Sequence, residues 1–71
     1  MPSLNRVRRA MEIDRYYRKV YEMEFEKFVE LLKLARIYGL AREFKDDFRI
    51  LLRDLKSWRE AKRVIASPNV S

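Results

Sequence analysis

Apolar residues recur at three- and four-residue steps along most of the chain, the spacing that places side chains on one face of an α-helix. Three short interruptions carry the only glycine and both prolines. At these points, the hydroxyl of Ser3 suits an N-cap, Gly39 can adopt the left-handed conformation that ends a helix, and Pro68 cannot continue one. We therefore predict an all-α fold.

The segment after Gly39 has the clearest apolar stripe, and we predict that it forms one helix over residues 41–66. Ala61 lies at the edge of that stripe and is small enough to let a neighbouring helix approach closely. Aromatic residues in such a stripe indicate a packed core rather than a ligand platform. The predicted core-facing positions are Leu40, Phe44, Phe48, Leu51, Leu55, Trp58 and Ile65.

The first half of the chain carries two apolar stripes that do not line up. At 100° per residue they are offset by about 100°, and Asp14 falls in the gap between them. This offset predicts a bend or break between Glu12 and Tyr16, at which Asp14 could serve as a cap. One stripe contains Leu4, Val7 and Met11, and the other contains Tyr17, Tyr21, Phe25, Phe28, Leu32 and Ala35.

Two architectures follow from these patterns. In the alternative one, residues 3–38 form a single long helix in a two-helix hairpin. Because a hairpin alone buries little surface, it would need a partner, most simply a second copy in a homodimeric four-helix bundle. We favour a monomeric three-helix bundle in one domain over residues 1–71, with helices over about 3–13, 16–38 and 41–66 and a tail over 67–71.

The composition excludes several classes of function. The 71 residues include no cysteine and no histidine, which rules out disulfide frameworks, the usual zinc sites and Ser-His-Asp or Cys-His nucleophiles. The sequence has no Gly-rich phosphate loop, so we expect no cofactor, no bound metal and no enzymatic activity. The longest apolar runs are three residues and no secretory signal is readable. We therefore expect a cytoplasmic protein without a membrane span.

Positive charge is the feature that points to a partner. Seventeen lysines and arginines against eleven acids give a net charge of +6. On the outer face of the predicted last helix, like charges at i,i+4, such as Lys45 and Arg49, would destabilise an isolated helix. We predict that this cationic ridge binds nucleic-acid phosphates with little base discrimination. The predicted nucleic-acid-binding residues are Arg42, Lys45, Arg49, Arg53, Lys56 and Arg63 on the ridge and Arg6, Arg8 and Arg9 in an accessory arm.

Two other interpretations of the charge stay open. Heavy use of Arg, Lys and Glu is typical of heat-adapted proteins, in which the ridge would be a solvated surface. The chain could instead be a protein-interaction or self-assembly module without nucleic-acid contact. Its contact surface would then be the Leu4, Val7 and Met11 stripe or an outward-facing acidic column of Glu22, Glu26 and Glu30.

The segment around Gly39 resembles a helix-turn-helix signature, in which a small residue is followed four positions later by glycine and then by an apolar residue. Ala35, Gly39 and Leu40 stand at those positions, and Phe48 stands at a further apolar one. Lys45 departs from the signature, which has an aliphatic residue there. The resemblance implies that the helix after Gly39 docks on DNA. An ordinary helical hairpin that ends at a glycine explains the same residues.

Overall fold

The computed structural model describes residues 4–67, which form four α-helices joined by short turns. The helices are α1 (Leu4–Tyr21), α2 (Phe25–Ile37), α3 (Leu40–Glu43) and α4 (Lys45–Ala66). No strand occurs in this part of the chain, so the prediction of an all-α fold is confirmed. Since α3 is a single turn, the bundle is built from the three long helices α1, α2 and α4.

Two predicted helix boundaries lie outside the described residues, namely the N-cap at Ser3 and the stop at Pro68. Between residues 4 and 67, none of the helices combines the length and hydropathy that crossing a lipid bilayer requires. At the glycine, the left-handed conformation is confirmed, because Gly39 has a φ of 78° and directly follows the C-cap residue of α2.

The predicted break between Glu12 and Tyr16 is wrong, because α1 runs through these residues without interruption. The chain reverses instead after Tyr21, where Glu22 has a left-handed φ of 54°. This reversal also rules out a continuous helix over residues 3–38. Asp14 is not a cap but a buried residue on the core face of α1, so the gap between the two apolar stripes is part of the helix interface.

The predicted continuous helix over residues 41–66 is also wrong. Phe44 has a φ of −113° and a ψ of 54°, and this departure from helical geometry separates α3 from α4. Because Leu40 and Phe44 precede the break, they do not share the core face of α4, and both are exposed. The helix that follows Gly39 in the helix-turn-helix resemblance is therefore interrupted after four residues.

The main core lies where all three long helices meet. It contains Phe28 and Leu32 of α2 together with Phe48 and the fully buried Trp58 of α4. From α1, Tyr17 stacks on Trp58 with ring centroids 5.6 Å apart. These residues belong to the predicted stripes, and their burial confirms the helical period that defined them.

Among residues 4–67, a second, smaller core is built by α1 and α4. It consists of the buried residues Ala10, Ala61 and Val64. Because Ala10 packs with Ala61 and Val64, the beginning of α1 lies beside the end of α4, so the two helices are antiparallel. Leu4 and Met11, predicted to be apolar contacts of the first helix, are exposed instead. The contact is made instead by the small side chains of Ala10 and Ala61 together with Val64.

Candidate nucleic-acid interface

The outer face of α4 carries a row of exposed cations, which we call the α4 ridge: Lys45, Arg49, Arg53, Lys56 and Arg63. Arg49 precedes the fully buried Trp58 by nine residues, so at 100° per residue it projects about 180° away from the core. The other members lie within about 40° of that direction. From Lys45 to Arg63 the ridge extends along the helix for about 27 Å at 1.5 Å per residue.

Arg42 is exposed but does not belong to the same helix face. It lies on α3, and the break at Phe44 separates it from the α4 ridge. The predicted six-residue ridge is therefore divided into five residues with a common helical register and one residue on the preceding turn.

Most of the ridge charge has no close counter-charge. Within residues 4–67, no carboxylate oxygen lies within 4.0 Å of the side-chain nitrogens of Lys45, Arg49 or Lys56. Arg63 has one such contact, to Glu60 at 3.6 Å, with both side chains mostly exposed. Because an exposed ion pair contributes only about 0–1 kcal/mol, this contact leaves the guanidinium accessible to another anion.

Arg53 contacts the carboxylate of Asp54 at 3.5 Å, but this carboxylate also interacts with two tyrosine hydroxyls of α1. The hydroxyl of Tyr21 donates a hydrogen bond to this carboxylate, and the hydroxyl of Tyr17 lies 3.5 Å from it. Burial raises the pKa of the Tyr21 hydroxyl above its usual value near 10, and the hydrogen bond to Asp54 raises this pKa further. Asp54 therefore holds α1 against α4, and it compensates the exposed Arg53 only in part.

Acidic residues weaken the positive potential at the beginning of the ridge. Glu43, Asp46 and Asp47 lie around Phe44, beside Lys45. Carboxylates in the first turn of α4 also interact favourably with the positive end of the helix dipole. The stretch from Arg49 onward is consequently the more strongly cationic part of the ridge, with Glu60 as the acid within its face.

The three arginines of the predicted N-terminal arm are all exposed on α1, but they do not point the same way. Arg6 and Arg9 line a groove between α1 and α4, where they face Glu60 and neighbouring residues. Arg8 does not line this groove. The antiparallel packing of α1 on α4 therefore brings Arg6 and Arg9 to the Arg63 end of the ridge.

The predicted acidic column is divided between a turn and a helix. Glu22 lies in the turn after α1, whereas Glu26 and Glu30 are exposed on α2. Lys27 approaches Glu30 to 3.9 Å. Across residues 4–67, no group of three or more acidic residues is arranged in a way that could hold a metal ion.

Comparison of the chain with protein-family models, curated proteins and solved structures finds no match. What the ridge can do therefore follows from its own charges and geometry. It is a straight, solvated row of cations on one helix, suited to an extended polyanion rather than to a small ligand that needs an enclosing cavity.

Sequence analysis did not detect the groove beside Arg9. Its walls include Ala10, Ser57 and Ala61, whose small side chains leave space between the two helices. The signal in the sequence is the occurrence of small residues at core-facing positions. Only the pairing of α1 with α4 shows that these positions lie opposite each other.

Proposed function

We propose that this chain is a nucleic-acid-binding module that contacts phosphates through the α4 ridge. The observation that supports the proposal most directly is the row of Lys45, Arg49 and Lys56, three exposed cations on one face without a carboxylate within 4.0 Å in the described residues. Like charges placed side by side destabilise a helix. Binding of a partner whose anions neutralise these charges would explain why the cations are arranged in this way.

The binding mechanism is counterion release from the nucleic acid. For each phosphate of duplex DNA that a ridge cation neutralises, the slope of the logarithm of the binding constant against the logarithm of the salt concentration becomes more negative by about 0.9. Because phosphate contacts position a protein without reading bases, the ridge binds different sequences with similar affinity. Arg6 and Arg9 extend the contact surface beyond Arg63 on the neighbouring helix.

The test is fluorescence anisotropy of a labelled duplex of about 20 base pairs, titrated with protein at several salt concentrations. If three to five ridge cations contact phosphates, the logarithm of the binding constant should fall with the logarithm of salt with a slope of about −3 to −5. Absence of binding even at low salt would overturn the proposal and identify the ridge as a solvated surface.

Two double variants distinguish binding through the α4 ridge from an effect of the overall net charge. Arg49→Glu with Arg53→Glu reverses two ridge cations, whereas Lys27→Glu with Lys33→Glu makes the same change in net charge on the outer face of α2. We expect the ridge variant to lose binding and the α2 variant to keep most of it, with unchanged far-UV circular dichroism in both. Equal losses would show that only overall charge matters and would contradict the assignment to α4.

A further inference from the structure

Helix α2 carries more apolar residues than its buried face requires. Phe28 and Leu32 of α2 are buried in the main core. At 100° per residue, Leu34 and Ile37 project about 120° and 180° away from Phe28, and both are exposed. A helix that is apolar over most of its circumference is usually buried on more than one side. In residues 4–67, however, the outer side of α2 is uncovered, because Ile37 keeps 75% of its surface accessible.

The exposed apolar side of α2 continues through the turn at Gly39 to α3. Tyr38 directly follows α2 and keeps 77% of its surface accessible, and Leu40 and Phe44 are exposed at the two ends of α3. We call this set the α2–α3 surface: Leu31, Leu34, Ile37, Tyr38, Leu40 and Phe44. It lies at the end of the molecule where α4 begins, opposite the smaller core.

The area of the α2–α3 surface matches what a dimer interface requires. With about 200 Å² for each fully exposed residue of this size, the six residues leave roughly 650 Å² accessible. The largest apolar patch on a monomeric protein is typically only about 300–600 Å². Two copies that face each other would bury roughly 1,300 Å² from these residues alone, which lies within the range of about 1,200–2,000 Å² for stable protein–protein interfaces.

Charged residues of both signs surround the α2–α3 surface. Residues 31–47 contain four cations and three acids, which leaves a net charge of +1 in this segment: Lys33, Arg36, Arg42 and Lys45 against Glu43, Asp46 and Asp47. None of these seven side chains forms an ion pair within 4.0 Å with another residue of 4–67. Cations and acids without close counter-charges therefore occur at the same end of the molecule.

A second copy of the chain fits this mixture of charges better than a partner of one sign. In a two-fold dimer both copies contribute the same surface, so the cations of one copy can pair with the acids of the other. A strongly acidic partner would be repelled by Glu43, Asp46 and Asp47, and a strongly basic partner would be repelled by the neighbouring cations. Most of the surplus positive charge of the chain lies outside residues 31–47, so repulsion between two copies is weak at this surface.

We propose that the chain forms a two-fold symmetric homodimer through the α2–α3 surface. Leu31, Leu34 and Tyr38 are spaced at i, i+3 and i+7, the spacing at which two helices pack along a common seam. The two α2 helices run antiparallel across the two-fold axis, with Leu34, the middle residue of this stripe, nearest to the axis. Leu40 and Phe44 of each copy extend the contact beyond Tyr38. This interface does not depend on nucleic-acid binding.

The first experiment is sedimentation equilibrium of the full chain from about 1 to about 500 µM. We expect the mass to rise with concentration from that of one chain to that of two, and to rise no further, because a two-fold interface closes on itself. The mass of a single chain at every concentration would overturn the proposal. Growth beyond two chains would also overturn it, since it would indicate an open assembly.

Two double variants locate the interface. Leu34→Glu with Ile37→Glu should raise the dimer dissociation constant at least about tenfold, because the new carboxylates would be buried without a partner. Leu4→Glu with Met11→Glu is the matched control, since it makes the same charge change at exposed apolar residues of α1, and it should change the constant less than about twofold. Circular dichroism checks that each variant folds. Equal effects, or dissociation by the α1 variant alone, would contradict the assignment to α2 and α3.

A cross-linking measurement tests the axis without adding charge. Because the sequence has no cysteine, Leu34→Cys introduces a single thiol. With oxidised glutathione as the oxidant, Leu34→Cys should form a disulfide between two copies at least about tenfold faster than Leu4→Cys. Equal rates would overturn the proposed arrangement. Arg49→Glu with Arg53→Glu should leave the dimer dissociation constant within about twofold, so failure of nucleic-acid binding and failure of dimerisation are distinguishable.

Discussion

Replacing Asp14 with alanine should destabilise the fold strongly, although Asp14 is a charged residue in the middle of a surface helix. Its carboxylate accepts a hydrogen bond of 2.8 Å from the indole nitrogen of Trp58, which has no exposed surface. The same carboxylate lies 3.3 Å from the Arg18 side chain. The variant would leave a buried N–H donor without its partner.

The size of the effect follows from these two contacts. An unsatisfied buried donor costs about 1–3 kcal/mol. Loss of the partly exposed pair with Arg18 adds about 0.2–1 kcal/mol. We therefore expect Asp14→Ala to lower the free energy of unfolding by about 1–4 kcal/mol. At about 0.05–0.15 kcal/mol per residue, a chain of 71 residues has roughly 4–10 kcal/mol in total, so the loss is substantial.

The assay is urea unfolding followed by far-UV circular dichroism. With a slope of about 1 kcal/mol per molar urea for a small protein, the midpoint should fall by about 1–4 M. Glu12→Ala is the control, because it removes an exposed carboxylate from the same helix and should cost less than about 0.5 kcal/mol. Asp14→Asn keeps an acceptor for the indole and should be milder than Asp14→Ala. If Asp14→Ala and Glu12→Ala cost the same, the hydrogen bond does not hold α1 to α4 and the reasoning is refuted.

Other predictions concern the tyrosine network and the left-handed residues Gly39 and Glu22. Burial and the hydrogen bond to Asp54 raise the pKa of Tyr21, so its contribution to stability is complete below pH about 10 and is lost as the pH rises further. Tyr21→Phe should therefore flatten the loss of stability above about pH 10 in urea unfolding; identical slopes in both proteins would contradict this. Gly39→Ala should cost about 1 kcal/mol, because its φ is 78° even though no atom lies within 4 Å of the added Cβ. Glu22→Gly, at a φ of 54°, should gain about 0.5–1 kcal/mol in the same assay. If both substitutions shift stability in the same direction, left-handed strain is not the cause.

The helical period predicted the residues of the main core well. Phe28, Leu32, Phe48 and Trp58 were expected on apolar stripes and are buried. This success has a local cause, because the face on which a residue lies depends only on its spacing along one helix. The same local rule predicted the direction of the α4 ridge, whose five members on α4 are all exposed. Whether they bind phosphate stays a prediction.

The positions of the helix breaks depend on contacts that the sequence does not display. Asp14 was predicted to be a cap because it falls in the gap between the two apolar stripes, but it is buried, and its burial depends on Trp58, 44 residues further along the chain. The chain reverses at Glu22 without glycine or proline, and α4 begins after Phe44, which also lacks the usual signals of a break. Helix propensity is a weak preference that tertiary packing overrides at such points.

The division of the N-terminal arm was unpredictable for a similar reason. Arg6, Arg8 and Arg9 are close in sequence, but Arg6 and Arg9 line the groove and Arg8 does not. That difference depends on which face of α1 meets α4. The close approach of Ala10 to Ala61 decides this face, and it becomes visible only when both helices are placed together.

Because Trp58 is buried, its intrinsic fluorescence reports on the packing of the helices around it. It is the only tryptophan in the chain, and its ring is surrounded by Tyr17, Tyr21, Phe25 and Phe28. Its emission should lie at short wavelength, and light absorbed by the two tyrosines should be transferred to it efficiently. Separation of α1 or α2 from α4 would shift the emission to longer wavelength, whereas events confined to the far end of α4 would leave it unchanged. One fluorescence spectrum can therefore distinguish opening of the three-helix core from fraying of the two-helix end.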